Sequence, residues 1–373
     1  MVSTLSEKIR RFDPGLPLEK ASTIPPDWYL DPDIYRLERD TVFAKSWQYV
    51  ARASQLEHAG GFVTEQVAGE PVVVVRDKDL NLQAFSNVCR HRAARLATAC
   101  EGKASFFQCR YHGWTYDLKG QLKGAPFMDG VQDFSRDKIM LPKWSVETWG
   151  PLVFVQNSPS PKTSAAQWLQ PLGERANEAS VSKLNWVGRK EYTLECNWKL
   201  FVDNYLDGGY HVNTLHPALA GVLDDTKYKI EVFEHSSVQT SPLVGSQAQL
   251  EGIRIDEVRK GTEAQYWWFF PNLMINLYDG VMDTNLVLPL GPNRCRVLFD
   301  FFFAESESPA AKQFIENSLA VAHKVQLEDV EICEEVHRGL ASQSYPNGRF
   351  SVRREASGYQ FHRMLASCLQ NAL

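Results

Sequence analysis

Cys89-Arg-His91 and, after seventeen intervening residues, Cys109-Arg-Tyr-His112 decide the reading of this chain. Each pairs a thiol with an imidazole two or three residues on. Two cysteines and two histidines suit a tetrahedral zinc ion. They suit equally a [2Fe–2S] cluster in which two histidines replace two cysteines on one iron. Residue type leaves both open. The flanking pattern places both pairs on β-hairpin tips: Leu82–Val88 reads as a strand that ends at the first pair. The second continues through Gly113-Trp114-Thr115-Tyr116 into a strand and a hairpin at Gly120. Cys100 lies between the pairs, fits neither, and reads as a small buried residue. The chain has seven cysteines, an odd number thinly spread, which argues for a few metal-binding thiols rather than a disulfide framework.

Outward from these clips, the texture is β from Tyr49 to Asn157, with Phe62–Val67 and Pro71–Arg76 as Val-rich strands and Asp77–Asn81 as a polar turn. Residues 1–45 form a Pro-containing lead, ending in a helical pattern over Ile34–Phe43, that is expected to pack on the second half of the chain. Ser158-Pro-Ser-Pro-Lys162 reads as a linker. The expected division is therefore 1–45, 46–157 and 163–373. In the second half, Glu191–Tyr210 begins as a strand and turns helix-compatible after Trp198. Tyr266–Tyr278, Thr284–Pro289 and Arg294–Ala304 have strand length. Ser308–Leu340 is the longest helical candidate, with Ser308 suited to the cap and Pro309 to the first turn. Strands followed by a long helix predict an α+β domain with an antiparallel sheet.

A second metal signal lies in Asp203-Asn-Tyr-Leu-Asp207-Gly-Gly-Tyr-His211-Val-Asn-Thr-Leu-His216. On an ideal helix a five-residue step sets two side chains about 140° apart, so His211 and His216 converge only where the helix loosens. Pro217 disfavours helix at His216. Two histidines beside Asp203, Asp207 and a Gly pair read as metal ligands needing a third, remote carboxylate, the facial set that suits ferrous iron. Within Ser308–Leu340, Phe314, Val321, Val325, Ile332 and Val336 form an apolar stripe. Asp329 falls inside that stripe and Glu328 at its margin. A carboxylate on a buried face needs a cation to face, and periodicity favours Asp329.

Composition excludes other classes. With 44% hydrophobic and 23% charged residues, the 373-residue chain can bury a real core. A net charge of -5 with no basic block argues against a nucleic-acid partner. No apolar stretch approaches membrane-span length, so no membrane partner is expected. The N-terminus, MVSTLSEKIRRFDPG, has no apolar run, and a cytoplasmic location is expected.

Together the motif C-x-H-x17-C-x2-H followed by Gly-Trp, the His211/His216 pair and Gln326–Leu340 resemble the ring-hydroxylating type of Rieske non-haem iron oxygenases. The resemblance spans Asp31 to Met364. It implies a β-rich Rieske domain, its [2Fe–2S] cluster held by Cys89, His91, Cys109 and His112. It also implies an antiparallel-sheet, helix-grip catalytic domain with mononuclear Fe(II) on His211, His216 and Asp329. His337 departs from the pattern, where relatives usually have Gln. The family further implies a homotrimer in which an acid before the first iron histidine bridges to the neighbouring subunit's cluster. Asp207 is the candidate and Asp203 the fallback. Since no GxGxxG opens a helix, a separate ferredoxin or flavin-containing reductase is implied.

Asp203–Val212, Pro271–Asn276 and Met282–Arg294 resemble the branch of that family that oxidises choline to betaine aldehyde with O₂ in betaine biosynthesis. Tyr205, Tyr210, Tyr266, Trp267, Trp268, Phe269 and Phe270 offer aromatic faces for a quaternary ammonium, although such a run is more often core. Hydroxylation or N-demethylation of carnitine, glycine betaine, proline betaine or an aromatic acid is the alternative. A Rieske electron carrier, lacking any use for the second metal signal, is the remote one.

Overall fold

The Val-rich runs of the first half pair into sheets. In chain order these strands are β1 (Gln48–Arg52), β2 (Gly61–Val67), β3 (Glu70–Arg76), β4 (Leu82–Ser86), β5 (Glu101–Lys103), β6 (Phe107–Gln108), β7 (Thr115–Tyr116), β8 (Leu122–Gly124), β9 (Lys143–Trp149) and β10 (Leu152–Gln156). The computed structural model describes residues 3–176, 178–216, 222–224, 226–244, 249–250 and 252–373. It separates into two units, residues 43–182 and residues 1–42 with 183–373.

In the first unit, seven strands form an antiparallel sheet in the order β1-β10-β9-β4-β3-β2-β5, and β6, β7 and β8 form a smaller one. Alternation along β3 and β4 sends Val73, Val75 and Phe85 into a core shared with Phe107, Tyr116 and Leu122 of the small sheet. Cys89 and Cys109 belong to this core. The Pro/Ser stretch at 158–162 is not where the units part. Trp47 Nε1 donates to Thr163 O at 2.9 Å, and Trp168 packs edge-on against Phe154. The following residues therefore stay with the first unit.

The second unit is built on β11 (Asn185–Leu194), β12 (Lys229–Val232), β13 (Ser236–Pro242), the short ribbon β14 (Gln249–Leu250) and β15 (Ile253–Arg254), and then β16 (Glu263–Phe269), β17 (Leu273–Tyr278), β18 (Val281–Gly291) and β19 (Arg294–Phe303). Its main sheet runs β11-β19-β18-β17-β16-β13-β12, antiparallel throughout. The run expected over Tyr266–Tyr278 is thus two strands of a hairpin, split at Pro271-Asn272.

The predicted long helix forms over Pro309–Leu340, with the Ser308 hydroxyl accepting from Ala311 N at 3.2 Å. Of its apolar stripe, Phe314 meets Phe303 of the sheet edge-on and Val321 packs on Val222, Ile255 and Val258, while Val336 is exposed; His323 Nδ1 hydrogen-bonds with the Tyr192 hydroxyl at 2.8 Å. The lead of the chain is sewn to this unit. Gln370 Nε2 donates to Phe12 O at 2.9 Å. Lys199 Nζ donates to Glu38 Oε1 at 2.6 Å and Trp198 Nε1 to Oε2 at 2.8 Å, the two charges being fully buried. Burial holds the Lys199 ammonium below its ordinary value, with Glu38 opposing.

Candidate metal centres and the cavity between their ligands and the sheet

The two Cys/His clips fold alike. In the first, Ala93 N donates to Cys89 O and Cys89 N to Ala94 O. In the second, Gly113 N donates to Cys109 O and Cys109 N to Trp114 O. Each loop closes through a residue with positive φ, Ala93 at 57° and Gly113 at 72°. Both cysteines are buried and free of any disulfide among the described residues. Tyr116 Oη lies 3.5 Å from Cys89 Sγ and accepts from Arg90 N at 3.0 Å. Burial pushes the Cys89 thiol up, and the Tyr116 hydrogen bond counters it.

The His91 and His112 rings are 4.6 Å apart, and Trp114 stacks on His91 at 4.9 Å. His91 Nδ1 is buried with no hydrogen-bond partner among the described residues, which is costly unless a metal occupies it. The donor set therefore fits a cluster taking two thiolates and two imidazoles. Cys100, expected buried, is exposed and stands apart, because the short edge strand β5 that follows it lies at the surface.

The second group is assembled from distant segments. The Trp198–Tyr205 helix is capped by Asn197 and stops before Asp207. The helix-compatible stretch expected to reach Tyr210 thus ends early, and Asp203, Asp207 and His211 do not share one helical face. Gly208 at φ 71° and Gly209 at φ 66° turn the chain. At Gly208 an added Cβ would lie 2.0 Å from Arg354 O, so only glycine fits there. Asp207 closes that turn, its Oδ1 accepting from Tyr210 N and its Oδ2 from His211 N, each at 3.1 Å. The chain then takes one helical turn, Val212–Leu215, and leaves it at His216. Pro217, the expected breaker, lies outside the described residues.

His211, His216 and Asp329 each present a ligand atom within 4.8 Å of the others. Asp329 Oδ1 lies 3.2 Å from His216 Nε2 and 3.8 Å from His211 Nε2, and it accepts from Asn204 Nδ2 at 2.8 Å. Each imidazole turns its other nitrogen to a second acid. His211 Nδ1 is 2.6 Å from Asp207 Oδ2, and His216 Nδ1 is 2.6 Å from Glu328 Oε2. Such outer carboxylates fix the tautomer and raise ligand basicity. The three inner donors fit a divalent iron with positions left open. The alternative weighed at 328 and 329 resolves into two placements, Asp329 between the imidazoles and Glu328 behind one. Asp203 points elsewhere, accepting from Tyr29 Oη at 2.6 Å and pairing with His362 Nε2 at 2.8 Å.

These three residues line a cavity of about 160 Å³. Of the aromatic run, Tyr205 and Tyr266 line it, joined by Tyr228 and Tyr278. Trp267, Trp268, Phe269 and Phe270 are core, and Tyr210 is exposed. Alternation explains part of the split: Trp267 and Phe269 take the face opposite Tyr266, where they stack with Phe233 and each other, while Trp268 shares the face of Tyr266 but packs on Phe270 and Phe361. The sequence reading missed Asp283 and Arg259, both of which line the cavity. Burial pushes the Asp283 carboxyl up to about 6, against hydrogen bonds from Asn276 and Asn285. The available signal was three polar residues, Asn276, Asp283 and Asn285, in otherwise apolar strands.

This architecture is that of a Rieske oxygenase. Residues 46–135 match the Rieske [2Fe-2S] domain and residues 181–371 the ring hydroxylating alpha subunit catalytic domain. The chain is 42% identical to the chloroplastic choline monooxygenase of Arabidopsis thaliana, over 98% of this chain and 87% of that protein. It is 31% identical to the carnitine monooxygenase oxygenase subunit of Escherichia coli (strain K12), covering 95% of each. A solved quaternary ammonium Rieske monooxygenase, described for carnitine oxidation and inter-subunit electron transfer, superposes with a TM-score of 0.81 at 27% identity, over 99% of this chain and 100% of that one. The chain thus belongs to the Rieske non-haem iron oxygenases and is an enzyme using a [2Fe–2S] cluster and a mononuclear iron. Among the described residues no helix is long and apolar enough to cross a membrane.

Proposed function

We propose that the chain is the oxygenase component of a monooxygenase that oxidises choline to betaine aldehyde. Cys89, His91, Cys109 and His112 would hold the cluster and His211, His216 and Asp329 the iron. One observation carries the substrate class: the cavity reached by the three iron donors is walled by Tyr205, Tyr228, Tyr266 and Tyr278. Aromatic faces hold quaternary ammonium groups, which cannot donate hydrogen bonds, through cation–π attraction. The cation would sit among these rings with its alcohol carbon toward the donors.

When bound, the two centres supply single electrons and a site for reducing O₂. The chain's own residues do the rest. Asp207 and Glu328 hold the two imidazoles in one tautomer, with Nε2 free to ligate. Asn204 steadies Asp329. The tyrosines exclude water around the reacting carbon. Electrons would come from a separate ferredoxin or flavin-containing reductase. The working unit would be a homotrimer in which Asp207, already on His211, connects to the cluster histidines of a neighbouring subunit. The ties of Asp203 to Tyr29 and His362 make it the weaker candidate for that connection.

A second reading has its own observation. Arg259 also lines the cavity, its guanidinium 5.0 Å from the Tyr278 ring centre and donating to that hydroxyl. A fixed cation beside an ammonium pocket suits a zwitterion such as carnitine or glycine betaine. A single turnover tests both: the anaerobic, chemically reduced protein is given choline and O₂. Betaine aldehyde near one equivalent per iron site is expected. No product from any methylated amine, with the cluster staying reduced, overturns the proposal.

A further inference from the structure

Antiparallel pairing sets Asn276 of β17 directly opposite Asp283 of β18, and Asn285 follows two residues later on the same face. Both amides converge on one oxygen: Asp283 Oδ1 accepts from Asn276 Nδ2 at 2.8 Å and from Asn285 Nδ2 at 3.0 Å. Asn276 is itself oriented, because its Oδ1 accepts from the Tyr205 hydroxyl at 2.8 Å. The other carboxylate oxygen, Oδ2, has no hydrogen-bond donor among the described residues. Asp283 keeps some accessible surface even though it lies deep in the protein, and the cavity it lines accounts for that surface.

Its charge is only partly offset, by Arg259. Arg259 lines the same cavity but is held on Tyr278, and no ion pair joins it to Asp283 among the described residues. A desolvated carboxylate with one oxygen fixed and one free is costly by itself. A purely structural acceptor for two amide donors needs no charge, since an Asn oxygen would serve. Deepening the reading above, and resting on it, we propose that Asp283 is the counter-ion for the substrate's trimethylammonium group, the residue that selects a cation over a neutral molecule of the same shape. The raised carboxyl agrees, since an arriving cation relieves the strain of burying the charge.

The probe pair is choline and 3,3-dimethylbutan-1-ol, in which a tert-butyl group replaces trimethylammonium. Unit charges about 5 Å apart at an effective dielectric near 20 differ in binding by about a hundredfold or more from the uncharged case. Wild-type enzyme should therefore bind choline about a hundredfold more tightly than the alcohol, by calorimetry and by the half-saturating concentration in a single turnover. Asp283→Asn should lose most of that preference, keeping only what the tyrosine faces supply, by weakening choline and leaving the neutral alcohol unchanged, and Asp283→Glu should restore part of it.

Equal wild-type affinity for the two alcohols overturns the assignment with no variant needed. So does an Asp283→Asn enzyme that keeps its preference, or one that weakens both ligands alike. Failure of the wild type to bind or oxidise any trimethylammonium compound is a separate outcome, which removes the proposed function and this assignment with it.

Discussion

The four cluster donors between Cys89 and His112 sit on two loops of one form, whereas His211, His216 and Asp329 come from segments more than a hundred residues apart. In the first site the backbone does the positioning. Each loop is closed by its own hydrogen bonds and a positive-φ residue, over a core that contains the two cysteines. In the second, side chains do it: every donor is held by another side chain, Asp207, Glu328 or Asn204. A site built from short-range turns tolerates changes in distant packing. One built from helix, turn and remote helix depends on a second layer of acids and amides, so its tuning and its fragility should lie in that layer.

The most drastic way to break the comparison is to remove one donor from each site. Asp329→Ala should abolish product formation and leave only the cluster iron, with the visible spectrum of the cluster intact. Cys109→Ser should do the reverse, losing the cluster while the mononuclear site still takes up ferrous iron. Iron analysis with the visible spectrum reads both, and loss of both metals in either variant would show that the sites are not independent.

The second layer gives the next effects. Asp207→Asn should keep both metals and slow product formation by about a hundredfold, the upper end of what outer carboxylates contribute. Normal turnover in that variant would end its proposed role in linking the centres. Glu328→Gln should weaken ferrous iron binding by about tenfold, measured by competition with a chelator, while the cluster spectrum stays unchanged. An Asp207 effect no larger than that of Glu328 would mean that both acids only orient their imidazoles.

The same contrast decides what could be read from the chain. The cluster loops were legible because thiol, imidazole and Gly-Trp spacing are local facts. Asp329 was legible because an acid inside an apolar helical stripe needs a cation, and Phe314 and Val321 of that stripe do pack into the protein. The placement of Asp207 was not, since regular periodicity carried the helix past Tyr205, where Gly208 must turn to clear the Arg354 carbonyl. The cavity wall was hardest. Which of Tyr266, Trp267 and Trp268 faces the cavity depends on where β16 starts its alternation and where the sheet gives way to the cavity. Asp283 meets Asn276 only through the β17–β18 register, which no local pattern states.

The smallest effect tests whether the backbone really does the positioning in the first site. Ala93 and Gly113 occupy equivalent places in their loops, both in the left-handed region, and one of them already carries a side chain. At Gly113 an added Cβ would meet only Pro126 Cγ, at an ordinary 3.6 Å. Gly113→Ala should therefore cost only the left-handed penalty of an L-residue, about 1–2 kcal/mol, read in the midpoint of chemical denaturation. Its cluster content and spectrum should match the wild type, because the loop form at Ala93 accepts that side chain. A full loss of cluster in Gly113→Ala would mean that the second loop needs glycine for the approach of the cluster itself. The two clips would then be alike in hydrogen bonding but not in function.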